Sequence, residues 1–247
     1  MCCRVLVFVL EVFGMLLKKI KPLLDYFTIA EITLWSVSAV IITVSFFIFD
    51  RENYLTLTAS LIGVTSLIFN AKGNAFGQFL MIIFSILYGI ISFTFSYYGE
   101  MVTYLGMTAP MAFVSLISWL KNPCKGRKAE VKINRLKLGE VVFAVCLTAA
   151  VTFIFYFILK KFHTANIELS TLSVATSFIA VYMTFKRSIY CTLCYAANDI
   201  VLIAMWISAM LCDISYSSVV ICFVIFLVND IYGFINWSKM RKRQESE

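Results

Sequence analysis

Charged residues are scarce in this sequence. They make up 14% of the 247 residues, whereas apolar residues make up 61%, and the mean hydropathy is +0.89. A soluble domain of this composition would have too few polar side chains to cover its surface. The sequence therefore predicts an integral membrane protein.

Residues that commonly carry catalysis or bind metals are also scarce. Histidine occurs once, at His163, and Cys191 and Cys194 form one CxxC pair. Together they make no four-ligand set, so a zinc site is not indicated. The sequence contains no Walker loop and no nucleophile elbow. We therefore expect no enzyme, no cofactor and no ATP-driven pump.

Long apolar runs make up most of the chain and predict an all-α membrane protein. Only helices or closed barrels satisfy backbone polar groups in lipid, and these runs lack the alternation of barrel strands. Compared with the roughly 20 residues that cross a bilayer, the runs predict about eight spans: Ile32–Phe49, Leu55–Asn70, Phe76–Ser96, Val102–Leu120, Val141–Leu159, Leu169–Phe185, Thr192–Leu211 and Ser217–Trp237.

The distribution of basic residues predicts the orientation in the membrane. With a cytoplasmic amino terminus, all of the 21 Lys and Arg except Arg51, Lys160 and Lys161 lie on the cytoplasmic side. This agrees with the positive-inside rule and places both termini in the cytoplasm. The net charge of +7 is then explained by topology and anionic lipid, so nucleic-acid binding is not indicated.

The two halves of the chain end alike, which predicts an internal repeat. Trp119 and Trp237 are separated by the same 118 residues as Ile117 and Ile235. Parallel halves are typical of transporters, with the substrate site between the halves near the membrane midplane. The predicted organisation is an interfacial amino-terminal segment (1–28), an extra helix (29–50), a first three-helix repeat (55–120), a basic cytoplasmic loop (121–140), a linker helix (141–160), a second three-helix repeat (168–238) and a basic tail (239–247).

Within the first segment, Val5–Leu17 is too short to span and predicts an interfacial helix. The extra helix is either an addition before the repeats or a loose counterpart of the linker helix.

Several short motifs in order resemble the PnuC vitamin transporters, whose core has a SWEET-like arrangement of three helices, a linker helix and three helices. These motifs are Lys72-Gly73-Asn74, Leu87-Tyr88-Gly89-Ile90, Tyr97-Tyr98-Gly99-Glu100, Pro110-Met111 leading to Trp119, Tyr195–Asp199 and Asn229–Trp237. The resemblance implies facilitated uptake of nicotinamide riboside across the bacterial inner membrane, with a cytosolic nicotinamide riboside kinase as functional partner. Oligomeric state is left open.

One position departs from the family pattern. The family has two tryptophans three residues apart at the end of the third core helix, whereas this sequence has Leu116 and Trp119. This difference leaves room for another vitamin such as thiamine. A receptor or assembly subunit that does not transport is the alternative from a different class.

Two Asn-Asp pairs stand out inside the predicted spans: Asn198-Asp199 and Asn229-Asp230. A carboxylate at mid-depth costs about 2.5 to 3.5 kcal/mol on insertion scales. The functional interpretation is that these residues bind ribose hydroxyls and a cationic ring. The alternative is that they only hold helices together.

Other candidates for substrate contact are Tyr88, Tyr195, Tyr232, Trp119 and Gln78. The four aromatic rings suit stacking on a cation. Trp119 also suits an interfacial belt of aromatic residues, and Gln78 also suits a polar position at the start of a helix. No Lys or Arg falls in the middle of a core span. A phosphorylated nucleotide is therefore disfavoured against the nucleoside.

Overall fold

The computed structural model describes residues 26–94, 97–164 and 166–247. Contacts divide the chain into two compact units, and the boundary along the sequence lies between Val37 and Ser38. The functional features described below all belong to the second unit. The predicted interfacial helix at Val5–Leu17 lies outside the described residues.

Almost all of the described chain is helical. Its helices are α1 (Ile29–Phe49), α2 (Tyr54–Ala71), α3 (Ala75–Thr94), α4 (Tyr98–Thr103), α5 (Ala109–Lys121), α6 (Leu138–Lys161), α7 (Ile167–Phe185), α8 (Cys191–Met210) and α9 (Ser217–Ser246). A π-turn (Tyr104–Thr108) joins α4 to α5, and a 3₁₀ turn (Ile214–Tyr216) precedes α9. Eight segments of this described part are long and apolar enough to cross a membrane. The predicted class, an all-α protein with about eight spans, is confirmed.

Six helical spans pack as a closed ring in the order α2, α3, α5, α7, α8, α9 and back to α2. Helix α6 packs on α7, outside this ring, and its buried residues are Ala144 and Leu159. Leu147, Val151 and Phe155 are partly buried against the core, and most other side chains of α6 are exposed, which fits a lipid-facing helix whose sequence is apolar on all sides. The ring therefore encloses the interior in which a substrate site can lie.

The basic loop between the halves contains a two-stranded antiparallel hairpin that the sequence did not indicate. Strand β1 (Pro123–Cys124) pairs with β2 (Arg127–Val131), and Gly126 turns between them with φ of +79°. A positive φ at a tight turn favours glycine. The hairpin is too short to be read from alternation of apolar residues.

The hairpin and its following segment join the same end of both halves. Val131 donates its backbone N–H to the Gly73 carbonyl at 2.9 Å, and Asn134 donates to the Arg187 carbonyl at 3.1 Å. Gly73 and Arg187 both have positive φ, 64° and 56°, at the turns that follow α2 and α7. We call this end of the ring the linker end.

Helix α9 continues to Ser246, well beyond the predicted span end at Trp237. Its last turns contact the linker: Gln244 donates to Glu130 at 2.7 Å and accepts from the Ile133 N–H at 2.9 Å, and Arg243 pairs with Glu130. Polar contacts thus hold the basic tail in helical form against the linker.

Candidate functional site

The two aspartates singled out by the sequence meet inside the ring. Asp199 on α8 and Asp230 on α9 are each 4% exposed, and their carboxyl groups lie in hydrogen-bonding contact. A hydrogen bond between two carboxyls requires a proton on one of them. The pair therefore carries at most one negative charge while the bond is intact.

A cavity of about 30 Å³ lies against this pair. Its polar lining comes from both halves: Tyr104, Thr108, Ser177, Tyr195, Asn198, Asp199 and Asp230. Leu67, Met81, Phe84, Val181, Phe223 and Phe226 complete the wall, which contains no Lys, Arg or His. Apart from the neighbouring Asp230 carboxyl, the Asp199 Oδ2 has no hydrogen-bond partner within the described chain. A buried acceptor without a partner is expected where a ligand supplies the missing donor.

The π-turn brings Tyr104 and Thr108 into the cavity wall. Pro110 lacks an N–H, so it cannot bond the carbonyl four residues earlier, and the helix locally widens to the π pattern. Within the turn, the Ala109 N–H bonds the Tyr104 carbonyl. Widened turns of this kind recur at functional sites.

Asn198 is held by the neighbouring helix rather than by Asp199. Its Oδ1 accepts from the hydroxyls of Thr176 and Ser177 on α7, both at 2.8 Å. These bonds hold α8 against α7 at the residue that precedes Asp199. The Oδ1 of Asn198 therefore has a structural role at the wall of the cavity.

A second small cavity of about 10 Å³ lies next to the first, towards the linker end. Leu67, Tyr195 and Asp230 border both cavities, so the two are neighbours. The second is also lined by Asn70, Gln78, Trp119, Thr184, Cys191, Thr192 and Trp237. Together they trace a line from the acidic pair to the two tryptophans.

Gln78 and Asn70 form the polar part of this second cavity. Gln78 Nε2 donates to Asn70 Oδ1 at 2.8 Å, and Asn70 Nδ2 donates to the Ser66 hydroxyl at 3.2 Å. The Gln78 Oε1 is buried and has no hydrogen-bond partner within the described residues. It is thus a second acceptor available to a ligand.

Tyr88 lies on the opposite side of the first cavity from the linker end. Its hydroxyl accepts from Trp206 Nε1 at 2.8 Å, and its ring borders a third cavity of about 10 Å³. Tyr88 does not line either of the first two cavities, although Phe84 borders both the first and the third.

Asn229 and Tyr232 do not line these cavities. Asn229 is buried and its Nδ2 donates to the Ser38 hydroxyl at 3.1 Å and to the Ile225 carbonyl at 2.8 Å. Tyr232 is half-buried. Asn229 thus ties α9 to α1, and it points in a different direction from Asp230 because adjacent helical residues point about 100° apart.

Sequence reasoning missed several lining residues. Tyr104, Thr108, Asn70 and Thr184 lie in apolar runs and carry no charge, so nothing in the local pattern marks them. Glu100 was missed as a buried acid because the fourth span was predicted to begin at Val102, whereas α4 begins at Tyr98.

Glu100 is 1% exposed, and neither of its oxygens has a hydrogen-bond partner of good geometry within the described chain, although the Ser173 hydroxyl lies beside it. With Glu31 at the start of α1, which is 2% exposed, the described residues thus include four buried acids where the sequence indicates two. Glu100 does not line the cavities against the aspartate pair.

Comparison with known proteins agrees with this architecture. Residues 53–239 match the family described as nicotinamide mononucleotide transporter. The nicotinamide riboside transporter PnuC of Neisseria mucosa is 27% identical over 205 residues, which are 81% of this chain and 78% of that protein. The nicotinamide riboside transporter PnuC of Haemophilus influenzae is 21% identical over 210 residues, 85% of this chain and 90% of that protein.

A solved structure has the same fold. The crystal structure of the vitamin B3 transporter PnuC superposes with a TM-score of 0.78 at 26% identity, covering 88% of this chain and 94% of that one. The relatives are named as transporters and not as enzymes. The matched region includes all six ring helices and α6. The chain therefore belongs to the nicotinamide mononucleotide transporter family and is a multi-pass membrane transporter of the PnuC type.

Proposed function

We propose that this protein carries nicotinamide riboside across the bacterial inner membrane, with the substrate site at the Asp199–Asp230 pair. The observation that carries the proposal is a buried acidic pair in a wall that has aromatic rings and no basic residue. The names of the Neisseria and Haemophilus relatives support the same substrate.

The chemistry of the site suits this substrate. Nicotinamide riboside has a pyridinium cation, and the acidic pair can supply one negative charge to it in a medium where attraction is poorly screened. Tyr104 and Tyr195 offer ring faces for the cation and hydroxyls for the ribose. The Oδ2 of Asp199 and the unpartnered Oε1 of Gln78 accept from ribose hydroxyls or the amide.

The small size of the cavity supports transport by alternating access. Pockets for small molecules typically measure about 300–1,000 Å³, far above the 30 Å³ found here. The ring must therefore open to admit a nucleoside. Aromatic contacts close it on both sides of the acidic pair, Trp119 with Trp237 at the linker end and Tyr88 with Trp206 at the other.

The direction of net uptake is set outside the protein. Basic residues at the linker end favour a cytoplasmic linker and cytoplasmic termini. Substrate released there is phosphorylated by a cytosolic nicotinamide riboside kinase, and the phosphorylated product is not returned because the pathway has no cation to hold a phosphate. Facilitated diffusion then suffices for uptake.

The test is uptake of radiolabelled nicotinamide riboside into proteoliposomes. We expect saturable equilibration with the wild-type protein, and a loss of at least about tenfold in apparent affinity, or 1.4 kcal/mol, when Asp199→Asn and Asp230→Asn are combined. Asp213→Asn is the matched control. Asp213 lies in the exposed turn before α9, where the Ser215 N–H bonds its carboxyl and lowers the pKa.

Unlabelled thiamine in the same assay tests the alternative substrate. Competition by thiamine at lower concentration than nicotinamide riboside would assign the site to thiamine. Absence of uptake of either compound by correctly folded protein would favour a receptor or assembly subunit and would overturn the proposal.

A further inference from the structure

A further cavity lies away from the acidic pair, at the linker end of the molecule. It measures about 430 Å³ and is formed by the segment after the hairpin, the first turn of α6, the turn between α7 and α8, and the end of α9. Its lining residues are Asn134, Arg135, Leu136, Val141, Ser188, Ile189, Tyr190, Arg241 and Glu245. Neither aspartate of the buried pair is among them.

The cavity lies where lipid and water meet. Leu138 and Val142, on either side of the lining residue Val141, are 80% and 55% exposed on α6. Both are apolar side chains on a helix that faces lipid. The cavity wall itself combines the apolar Leu136, Val141 and Ile189 with polar groups of the linker and of α9. Such a wall fits an amphipathic ligand better than a wholly soluble one.

Two arginines in the cavity already hold an oxyanion. A single oxygen of Glu245, Oε1, lies 2.8 Å from Arg135 Nη2 and 3.6 Å from Arg241 Nε. The distance of 3.6 Å is too long for a hydrogen bond. The buried Arg241 Nε therefore has no hydrogen-bond partner within the described chain, although it forms an ion pair with Glu245. Glu245 itself is exposed, two residues from the carboxyl terminus. Exposed ion pairs contribute little to stability, so another anion can take its place.

We propose that this cavity binds the phosphate group of an anionic phospholipid, with Arg135 and Arg241 holding the phosphate oxygens in place of Glu245. Leu136, Val141 and Ile189 pack against the glycerol and upper acyl chain, and Tyr190 offers its hydroxyl at the rim. Basic pockets between helices at the membrane surface are known to take anionic headgroups.

The position of the site gives it a consequence for the fold. Asn134, which lines the cavity, also donates its N–H to the Arg187 carbonyl at the turn before α8, and Arg241 belongs to α9. A phosphate bound to both arginines therefore joins the linker segment to the last helix. We expect bound lipid to stabilise the linker end against thermal unfolding.

Native mass spectrometry of the full chain in detergent tests the proposal with phosphatidylglycerol and phosphatidylcholine as probes. We expect phosphatidylglycerol to bind the wild type about tenfold more tightly than phosphatidylcholine, because each basic side chain near the headgroup adds to the attraction. The double variant Arg135→Gln with Arg241→Gln should lose this preference. Arg127→Gln, which removes a basic residue paired with Glu247 outside the cavity, should keep it.

Glu245→Gln provides a second test in which both arginines keep their charge. It frees both guanidiniums, so it should raise the preference for phosphatidylglycerol. An unchanged preference in Glu245→Gln, or in the folded double arginine variant, would overturn the proposal. Thermal stabilisation of the wild type by inorganic phosphate, without any preference between the lipids, would show a site for soluble anions and overturn the lipid assignment.

Discussion

Trp119 and Trp237, separated by 118 residues, pack against each other with ring centroids 5.5 Å apart. Each also bonds the first helix of the opposite half: Trp119 Nε1 donates to the Thr184 carbonyl at 2.9 Å, and Trp237 Nε1 donates to the Asn70 carbonyl at 2.8 Å. The preceding residues repeat the exchange, because Ser118 donates to the Phe185 carbonyl and Asn236 to the Ala71 carbonyl. The similar ends of the two halves thus have equivalent contacts.

This exchange predicts that the two indoles contribute alike to stability. Trp119→Phe and Trp237→Phe each remove one buried hydrogen bond, while the Thr184 and Asn70 carbonyls still accept from the Arg187 and Gly73 N–H groups, so each loss costs about 0.5–1.5 kcal/mol. We expect each variant to lower the thermal unfolding midpoint by a similar amount, measured by fluorescence or static scattering in detergent. Phe157→Leu, on the lipid-facing side of α6, is the control and should change little. A large drop for only one tryptophan would show that the two ends are not energetically equivalent.

The number of spans could be predicted from the sequence because each span has to be apolar for about 20 residues. The boundaries at Tyr98 and Ser246 could not. Near Tyr98, Glu100 interrupts the apolar run. Near Ser246, the polar last turns of α9 are held by contacts with the linker. Both depend on contacts between distant segments, which a local pattern does not contain.

The acidic pair could be predicted because a carboxylate at mid-depth is costly and rare. Its uncharged neighbours could not. Tyr104 and Asn70 reach the cavities only because helices from different parts of the chain meet there. The contact between Asn229 and Ser38 could not be predicted either, because it joins helices 191 residues apart in the chain.

The shared hydrogen bond between the aspartates makes a specific prediction about charge. In Asp199→Asn the new amide can donate to Asp230, so one carboxyl that can carry a negative charge is kept; only the double variant with Asp230→Asn removes both carboxyls. We expect the double variant to weaken binding of nicotinamide riboside by at least about tenfold, and each single variant by about threefold or less. Isothermal titration calorimetry on purified protein measures both.

The neutral reduced form of nicotinamide riboside is the matched ligand for this experiment. It keeps the ribose and the amide but lacks the cationic ring. We expect its affinity to fall much less in the double variant, because only hydrogen bonds are altered. Equal losses for the two ligands would assign the aspartates a hydrogen-bonding or structural role instead.

The absence of Lys, Arg and His from the lining of both central cavities predicts discrimination against phosphate. A buried phosphate dianion beside the acidic pair would be repelled and would have no cation to offset its desolvation. We expect nicotinamide mononucleotide to compete at least about tenfold less well than the riboside, a difference of 1.4 kcal/mol. Competition in the uptake assay gives the ratio, and equal competition contradicts the prediction.

The close approach of α2 and α3 depends on Gly77. A Cβ at this position would lie 2.3 Å from Asn70 Oδ1 and 2.7 Å from the Asn70 backbone nitrogen, and Gly77 also accepts a hydrogen bond from the Ser66 hydroxyl at 2.8 Å. We expect Gly77→Ala to separate the helices and cost about 1–3 kcal/mol, with loss of the Gln78–Asn70 contact and of uptake.

Gly139→Ala is the control for this substitution. Gly139 lies in the first turn of α6, and no atom lies within 4 Å of its added Cβ. It should leave uptake unchanged, since alanine suits a helix better than glycine does. Comparable loss of uptake in both variants would mean that the packing at Gly77 is not the cause.

The last prediction joins orientation to mechanism. If the linker is cytoplasmic, a membrane-impermeant thiol reagent added to whole cells should label Glu52→Cys, in the exposed turn between α1 and α2, but not Ala129→Cys in the hairpin, both in a background without the eight native cysteines. Opening the cells should expose the second site. The reverse labelling pattern would invert the proposed topology.

In the same orientation, liposomes without an ion gradient should equilibrate nicotinamide riboside but not concentrate it, because the sequence contains no Walker loop that would couple transport to ATP. Adding a cytosolic kinase with ATP inside the liposomes should then drive accumulation of the phosphorylated product. Accumulation driven by an imposed proton gradient alone would contradict facilitated diffusion. The proton shared by Asp199 and Asp230 would then be the first candidate for the coupled ion, since buried acids in spans commonly serve as proton relays.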